Sequence, residues 1–160
     1  EEYALWQLPP GTVTRALRCS HQPTPLDRTC HGWLGGAVLL SERVANIGPQ
    51  ALVLTTYNAD KAGKVVDGGN NGTWGAWDSV RPADQPVLSA DSPEPLTLVW
   101  PQPVTLRGLN ALWAGLAAAD AQVWVGPADR HPREGTDADW QTVGHWTRLD
   151  SQYPMITPLR

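Results

Sequence analysis

The densest set of potential ligand atoms lies between Lys64 and Trp77, where the chain reads Lys-Val-Val-Asp-Gly-Gly-Asn-Asn-Gly-Thr-Trp-Gly-Ala-Trp. Glycine and asparagine tolerate positive φ, so these residues predict a tightly wound loop and not a helix. The loop crowds oxygens together: the Asp67 carboxylate, the Asn70 and Asn71 amides, the Thr73 hydroxyl and the turn carbonyls. Hard oxygen donors on a winding backbone are what Ca²⁺ prefers. A surface turn followed by core aromatics accounts for the same residues, because Asp-Gly turns are common.

A second kind of chemistry is suggested by tryptophan. Nine Trp and no Phe in 160 residues exceed what a small core needs, which leaves some indoles for a binding face. An indole stacks on the C–H face of a pyranose ring, while Asp, Asn, Arg and His bond its hydroxyls. Three segments pair these types: Trp77 with Asp78 and Arg81, Trp113 at a strand end, and His131 with Arg133 in a polar loop. Sandwich loops gather at the ends of the sheets, so residues distant in sequence can converge there. These six are the expected ligand residues, with His31 and Trp33 next in line.

Catalytic patterns are missing. There is no G-x-S-x-G elbow, no H-E-x-x-H and no phosphate-binding glycine loop in a strand–helix context. A glycosidase needs two carboxylates at a fixed separation. Asp120, Asp129, Glu134, Asp137 and Asp139 are available, but most share one polar loop and read as its solvated face.

Cys19 and Cys30 bracket a polar loop with two prolines. A disulfide closing it would stabilise by about 3 kcal/mol in the loop-entropy model, and would imply an oxidising compartment. The flanking His21 and His31 raise zinc as an alternative, but the spacing lacks the paired ligands of known zinc modules. Two free thiols are the third alternative.

The elements that must position these groups read as strands. Thr12–Leu17, Trp33–Leu40, Gln50–Tyr57, Leu96–Trp100, Val104–Trp113, Ala121–Val125 and Trp140–Trp146 are short apolar or alternating runs bounded by turn residues. Gly35-Gly36 predicts a bulge or bend in the second. No long amphipathic helix is visible, and Gly115 weakens the helical composition of Ala114–Ala119. Regularly spaced strands predict a sandwich or barrel. The length suits one domain over 1–160, with 1–43 an N-terminal extension. A net charge of −4 gives no case for nucleic acid or an acidic membrane surface. No apolar run reaches the length of a membrane span. No signal peptide is visible at Glu1-Glu2-Tyr3, a start that suits a mature or excised domain.

Several of these segments together resemble a known family. Asn58-Ala59, Ala62-Gly63-Lys64-Val65-Val66, Asp67-Gly68 and Thr73-Trp74 look like the signature of the discoidin or coagulation factor 5/8 C-type domains. Leu96–Leu109, Ala121–Gly126 and Trp140-Gln141-Thr142-Val143 are similar to the later strands of that family, so the resemblance spans about residues 44 to 146. It implies an all-β fold, an antiparallel β-sandwich jelly roll of the galactose-binding-like type. It implies a structural Ca²⁺ near Asp67, with backbone or side-chain oxygens of Lys64, Asn70 and Thr73 contributing. The spacing from Asp67 to Thr73 is one longer than the commonest version, and the Arg and Asn that galactose binders use before the Ala121 strand are absent. The expected function is a non-catalytic carbohydrate-binding module, secreted and tethered to a polysaccharide-degrading enzyme. The alternatives are a spacer or protein-interaction domain with a vestigial sugar site, and a small glycan-active hydrolase.

Overall fold

A computed structural model describes residues 2–23, 33–41, 45–68, 77–86, 89, 92–114 and 116–147. The described chain is mostly antiparallel β-sheet. Eight strands run β1 (Glu2–Gln7), β2 (Val13–Pro23), β3 (Trp33–Ser41), β4 (Leu52–Thr55), β5 (Trp77–Asp78), β6 (Glu94–Ala114), β7 (Leu116–Trp124) and β8 (Trp140–Thr147). Among the described residues, 3-10 turns lie at Gly48–Gln50, Ala59–Val65, Pro132–Glu134 and Asp137–Asp139.

β6 joins two sheets. Its first half pairs with β4 and β2, and β2 continues through β7 to β8. Its second half pairs with β1 on one side and β3 on the other, with β5 beyond β3. The change of partners follows Pro101 and Pro103. Proline has no N–H to give to a ladder, so these positions sit exposed where the β2 register jumps from Ala16↔Val99 to Thr14↔Val104. Two strands expected as separate, at 96–100 and 104–113, are therefore one bent strand. The register shift between Leu34 and Gly36 is the bulge expected in β3. The Ala-rich stretch before Asp120 is strand and not helix, because β2 and β8 pair with it from both sides.

Period-2 alternation divides the residues of the second sheet between its faces. Leu17 and Cys19 of β2, Leu96, Leu98 and Trp100 of β6, and Ala119, Ala121 and Val123 of β7 face one shared core. Leu39, Leu106, Leu109 and Trp77 reach that core from the other sheet. The opposite face of the β4–β6–β2–β7–β8 sheet carries a smaller cluster of Ala16, Val99, Trp124 and Trp140, with Leu54 packed against it. Trp100, Trp124 and Trp140 are core residues.

Cys19 is a free thiol, and its burial pushes it up to a pKa of about 12. The disulfide expected with Cys30 is not seen. Cys19 sits mid-strand with its side chain inside the core, and Cys30 and His31 lie outside the described residues. No helix among the described residues is long and apolar enough to cross a membrane.

Candidate functional site

The expected ligand residues divide into three groups. Trp77 is a correction: its ring is 1% exposed in the core, with Nε1 donating to the Tyr57 carbonyl at 2.9 Å. Its place in β5, paired with Leu34 of β3, directs the indole inward. Asp78 is occupied locally. Its Oδ1 accepts from Asn58 Nδ2 at 2.6 Å and from the Val80 N–H at 3.1 Å, and its Oδ2 lies 3.3 Å from Lys61 Nζ.

Arg81 is the centre of a buried knot. Its Nη1 donates to the Pro86 carbonyl and the Ser92 hydroxyl, both at 2.9 Å. Its Nη2 donates to the Ser92 carbonyl at 3.1 Å and to Glu94 Oε2 at 3.2 Å. Glu94 Oε1 accepts in turn from Thr55 Oγ1 and from the Thr56 N–H, at 3.3 and 3.2 Å. The guanidinium also stands 5.4 Å from the Tyr57 ring centroid. These bonds fasten the loop after β5 onto β4 and β6. Arg81 therefore has acceptors of its own and is not presented to a ligand.

Trp113 lies in β6, opposite Glu2 and Leu34, and its side chain falls outside the described set. His131 caps the turn Pro132–Glu134, its Nδ1 accepting from the Arg133 N–H at 3.1 Å. Its role is to fix the loop backbone that holds Arg133. Of the six, Arg133 alone lines the groove described next.

That groove opens on the outer face of the β4–β6–β2–β7–β8 sheet and has a volume of about 250 Å³. Leu54, Thr97 and Arg18 form its floor, neighbours in register across β4, β6 and β2. Thr55, Thr56 and Pro95 line one side, and Pro132, Arg133, Gly135 and Trp140 the other.

Arg18 is held in place by three contacts. Its guanidinium carbon stands 4.5 Å from the Trp140 ring centroid, within reach of the cation–π attraction. Its Nε donates to Gln122 Oε1 at 2.8 Å, and Gln122 Nε2 donates to the Thr142 hydroxyl at 3.3 Å. Its Nη2 lies 3.2 Å from Asp137 Oδ1, a carboxylate whose side chain is 96% exposed. Trp140, 9% exposed, thus serves as backing for a guanidinium and not as a bare stacking platform.

The loop that forms the far wall is fixed by Trp124. A Cβ at Gly126 or Gly135 would overlap the six-membered edge of the Trp124 indole, so the two glycines let the chain close over that edge of the ring. Trp140 meets the same ring edge-on, centroids 5.4 Å apart. Arg15 donates to the Ala128 carbonyl, and Arg130 pairs with Asp139 at 3.2 Å. The Thr136 N–H donates to Asp139 Oδ2 at 2.8 Å, which with the Thr136 hydroxyl and Arg130 holds the Asp139 carboxyl below the usual carboxylate range.

Of the expected calcium ligands, Lys64 and Asp67 are described and Asn70 and Thr73 lie outside the described residues. Lys64 Nζ and Asp67 Oδ2 are 3.8 Å apart, and Gly68 holds the positive φ of +85° that the Asp-Gly turn requires. Among the described residues no three His, Cys, Asp or Glu side chains converge on a cation site.

The groove residues Arg18, Thr55, Thr56 and Thr97 were missed because none belongs to a motif. One signal was present: Arg18 stands between two apolar residues, so alternation turns it out of the core, in line with Gln122. Comparison with protein-family models, characterised proteins and solved structures yields no match for this chain.

Proposed function

We propose that this chain is a non-catalytic carbohydrate-binding module that takes a sugar unit in the groove over Arg18 and Thr97. The observation that carries the reading is the groove itself, about 250 Å³ with three threonines, two arginines and apolar surface from Leu54, Pro95 and Pro132. Hydroxyl and guanidinium groups match sugar hydroxyls, and Leu54, Pro95 and Pro132 offer apolar surface to C–H faces. A shallow site of this size suits weak binding, with Kd in the micromolar-to-millimolar range. Two antiparallel sheets around one core support a sandwich of the jelly-roll type. An accessory module of a secreted polysaccharide-degrading enzyme is the setting that suits this reading.

Affinity electrophoresis in polysaccharide gels tests it. Wild type is retarded by at least one polysaccharide, and Thr97→Trp, which fills the groove from its floor, is not. Equal retardation of both would move the site elsewhere. No retardation by any glycan would favour the spacer or protein-interaction alternative.

The calcium belongs to the same reading, held by the 64–73 loop. A cation bound only by the folded state raises the melting temperature. Protein prepared in calcium therefore melts lower after chelation, and unchanged melting with no metal in elemental analysis removes the ion from the proposal.

One observation favours the hydrolase alternative: His145 Nδ1 lies 2.6 Å from Asp120 Oδ1, a cross-strand pair on β8 and β7. The strand order β2–β7–β8 places Asp120 between Ser20 and His145, however. His145 is therefore on the wrong side of the carboxylate to act as base for that serine. Release of reducing ends from a polysaccharide, lost in His145→Ala, would establish the hydrolase.

A further inference from the structure

The groove lining contains two arginines and no carboxylate: Arg18 and Arg133 are its charged residues. The whole chain has a net charge of −4, so the lining is opposite in sign to the protein around it. Glu94 lies close behind Thr55 and Thr56, but its charge is met by Arg81 at 3.2 Å. Asp120 and His145 pair with each other further along the sheet, and Asp139 pairs with Arg130. Among the described residues no carboxylate pairs with Arg133, an exposed residue on the groove wall. Arg18 has one ionic partner, Asp137 at 3.2 Å, and that carboxylate is 96% exposed while Arg18 is 16% exposed.

These facts describe a cation fixed from behind and loosely covered in front. Trp140 and Gln122 set the plane and direction of the Arg18 guanidinium. Asp137 adds one bond from a 3-10 turn at the groove's rim. An exposed ion pair contributes little, because water screens it and two side chains lose freedom to form it. An incoming anion therefore has little to displace. A guanidinium presents parallel donors that match a carboxylate or a sulfate with two bonds, where Asp137 takes one.

We infer that the sugar recognised in this groove is anionic, a uronate or a sulfated sugar, and that its charged group replaces Asp137 on Arg18 while Arg133 neutralises it from the groove wall. The inference rests on the binding reading above and names the ligand class for that site. Asp137 then acts as an internal competitor, holding Arg18 in register when the groove is empty. The hydroxyls of Thr56 and Thr97 are left for the ring hydroxyls, since that of Thr55 already bonds Glu94 and the Tyr57 carbonyl.

Isothermal titration with three probes tests this: trigalacturonate, its methyl ester, and a sulfated neutral trisaccharide. The ester keeps the sugar and removes the charge. Trigalacturonate or the sulfated probe binds, the ester at least about tenfold more weakly, equivalent to about 1.4 kcal/mol. Which of the two anions binds tighter assigns carboxylate or sulfate. Binding weakens as salt is raised from about 20 to about 200 mM, a range over which the screening length falls below about 10 Å.

Arg133→Ala, an exposed change, loses about tenfold or more for the anion and leaves the melting temperature in place. Asp137→Asn tightens the anion by about twofold to fivefold, the range that an exposed pair allows, and leaves the ester unchanged. Equal binding of acid and ester, insensitive to salt and to Arg133→Ala, overturns the anionic assignment and leaves the carbohydrate reading standing. Unchanged or weaker binding by Asp137→Asn overturns the displacement. Binding of none of the probes, nor of any neutral glycan, overturns both this inference and the reading beneath it.

Discussion

Arg81 and Arg18 stand in similar company. Each lies over an aromatic ring, Tyr57 at 5.4 Å and Trp140 at 4.5 Å, and each reaches a carboxylate at 3.2 Å. They differ in what surrounds the carboxylate. Glu94 is 1% exposed and takes further bonds from Thr55 and Thr56, whereas Asp137 stands in water. Arg81 donates to carbonyls, a hydroxyl and Glu94, so both its terminal nitrogens are used in joining a loop to two strands. Arg18 is held by its ring and by Gln122, and its remaining edge faces the groove. Burial of the partner, not the identity of the trio, separates a structural arginine from one available to a ligand.

The sharpest way to break this comparison is to remove the buried members. Trp77→Ala should cost about 3–5 kcal/mol, since a full indole leaves the core and the Tyr57 carbonyl loses one of its two donors. Guanidinium unfolding reads this directly, and a loss under about 1 kcal/mol would return Trp77 to the surface. Arg81→Ala should cost a similar ~3–5 kcal/mol, because Glu94 is left as an uncompensated buried charge. Adding Glu94→Gln to Arg81→Ala should recover part of that loss. Arg18→Ala, measured alongside, should lose about 1 kcal/mol or less from its ion pair, plus a packing contribution from the stem over Trp140. If Arg18→Ala unfolds the protein as readily as Arg81→Ala, the two arginines are not different in kind.

A smaller effect is expected where the groove wall meets the sheet. Gly135→Ala places a methyl group into the Trp124 ring and should cost about 1–3 kcal/mol by overpacking. The double variant Gly135→Ala with Trp124→Leu should show a reduced increment for the glycine change. An equal increment in both backgrounds would mean that the indole is not what the glycine accommodates.

The smallest expected effect is on pH. The folded value of Asp139 lies below its unfolded value, so its contribution is present in full above the ordinary Asp range near about pH 4 and is lost as the pH falls through the lower folded value. The difference in melting temperature between wild type and Asp139→Asn should therefore shrink on acidification below about pH 4. A constant difference down to about pH 2 would show that the Thr136 N–H does not favour the ionised form.

Much of the fold was legible in sequence because alternation and turn residues act locally. The strands at 52–55, 96–100 and 140–147 follow from β-branched and apolar runs whose period matches the pleat. What escaped was pairing. The prolines at 101 and 103 read as a break between two strands, yet the chain continues in one direction and exchanges partners. The stretch Ala114–Ala119 has a helical composition weakened by Gly115, and it is β2 and β8 on either side that make Leu116 to Ala119 a strand.

The site was legible only in its chemistry. Residue types pointed to loops rich in Trp, Arg and Asp, and they brought Arg133 into the expected set. They did not determine which Trp faces water. An indole is large, amphipathic and at home in a core or at a surface, so the burial of Trp77 and Trp140 was decided by where neighbouring strands place them. Likewise nothing in Arg81 or Arg18 distinguishes them along the chain. Charge was fixed by composition, but whether a guanidinium is already satisfied depends on acceptors contributed by strands and loops far away in sequence. Glu94 reaches Arg81, and Gln122 and Trp140 reach Arg18, only after β6, β7 and β8 have been laid side by side with β2.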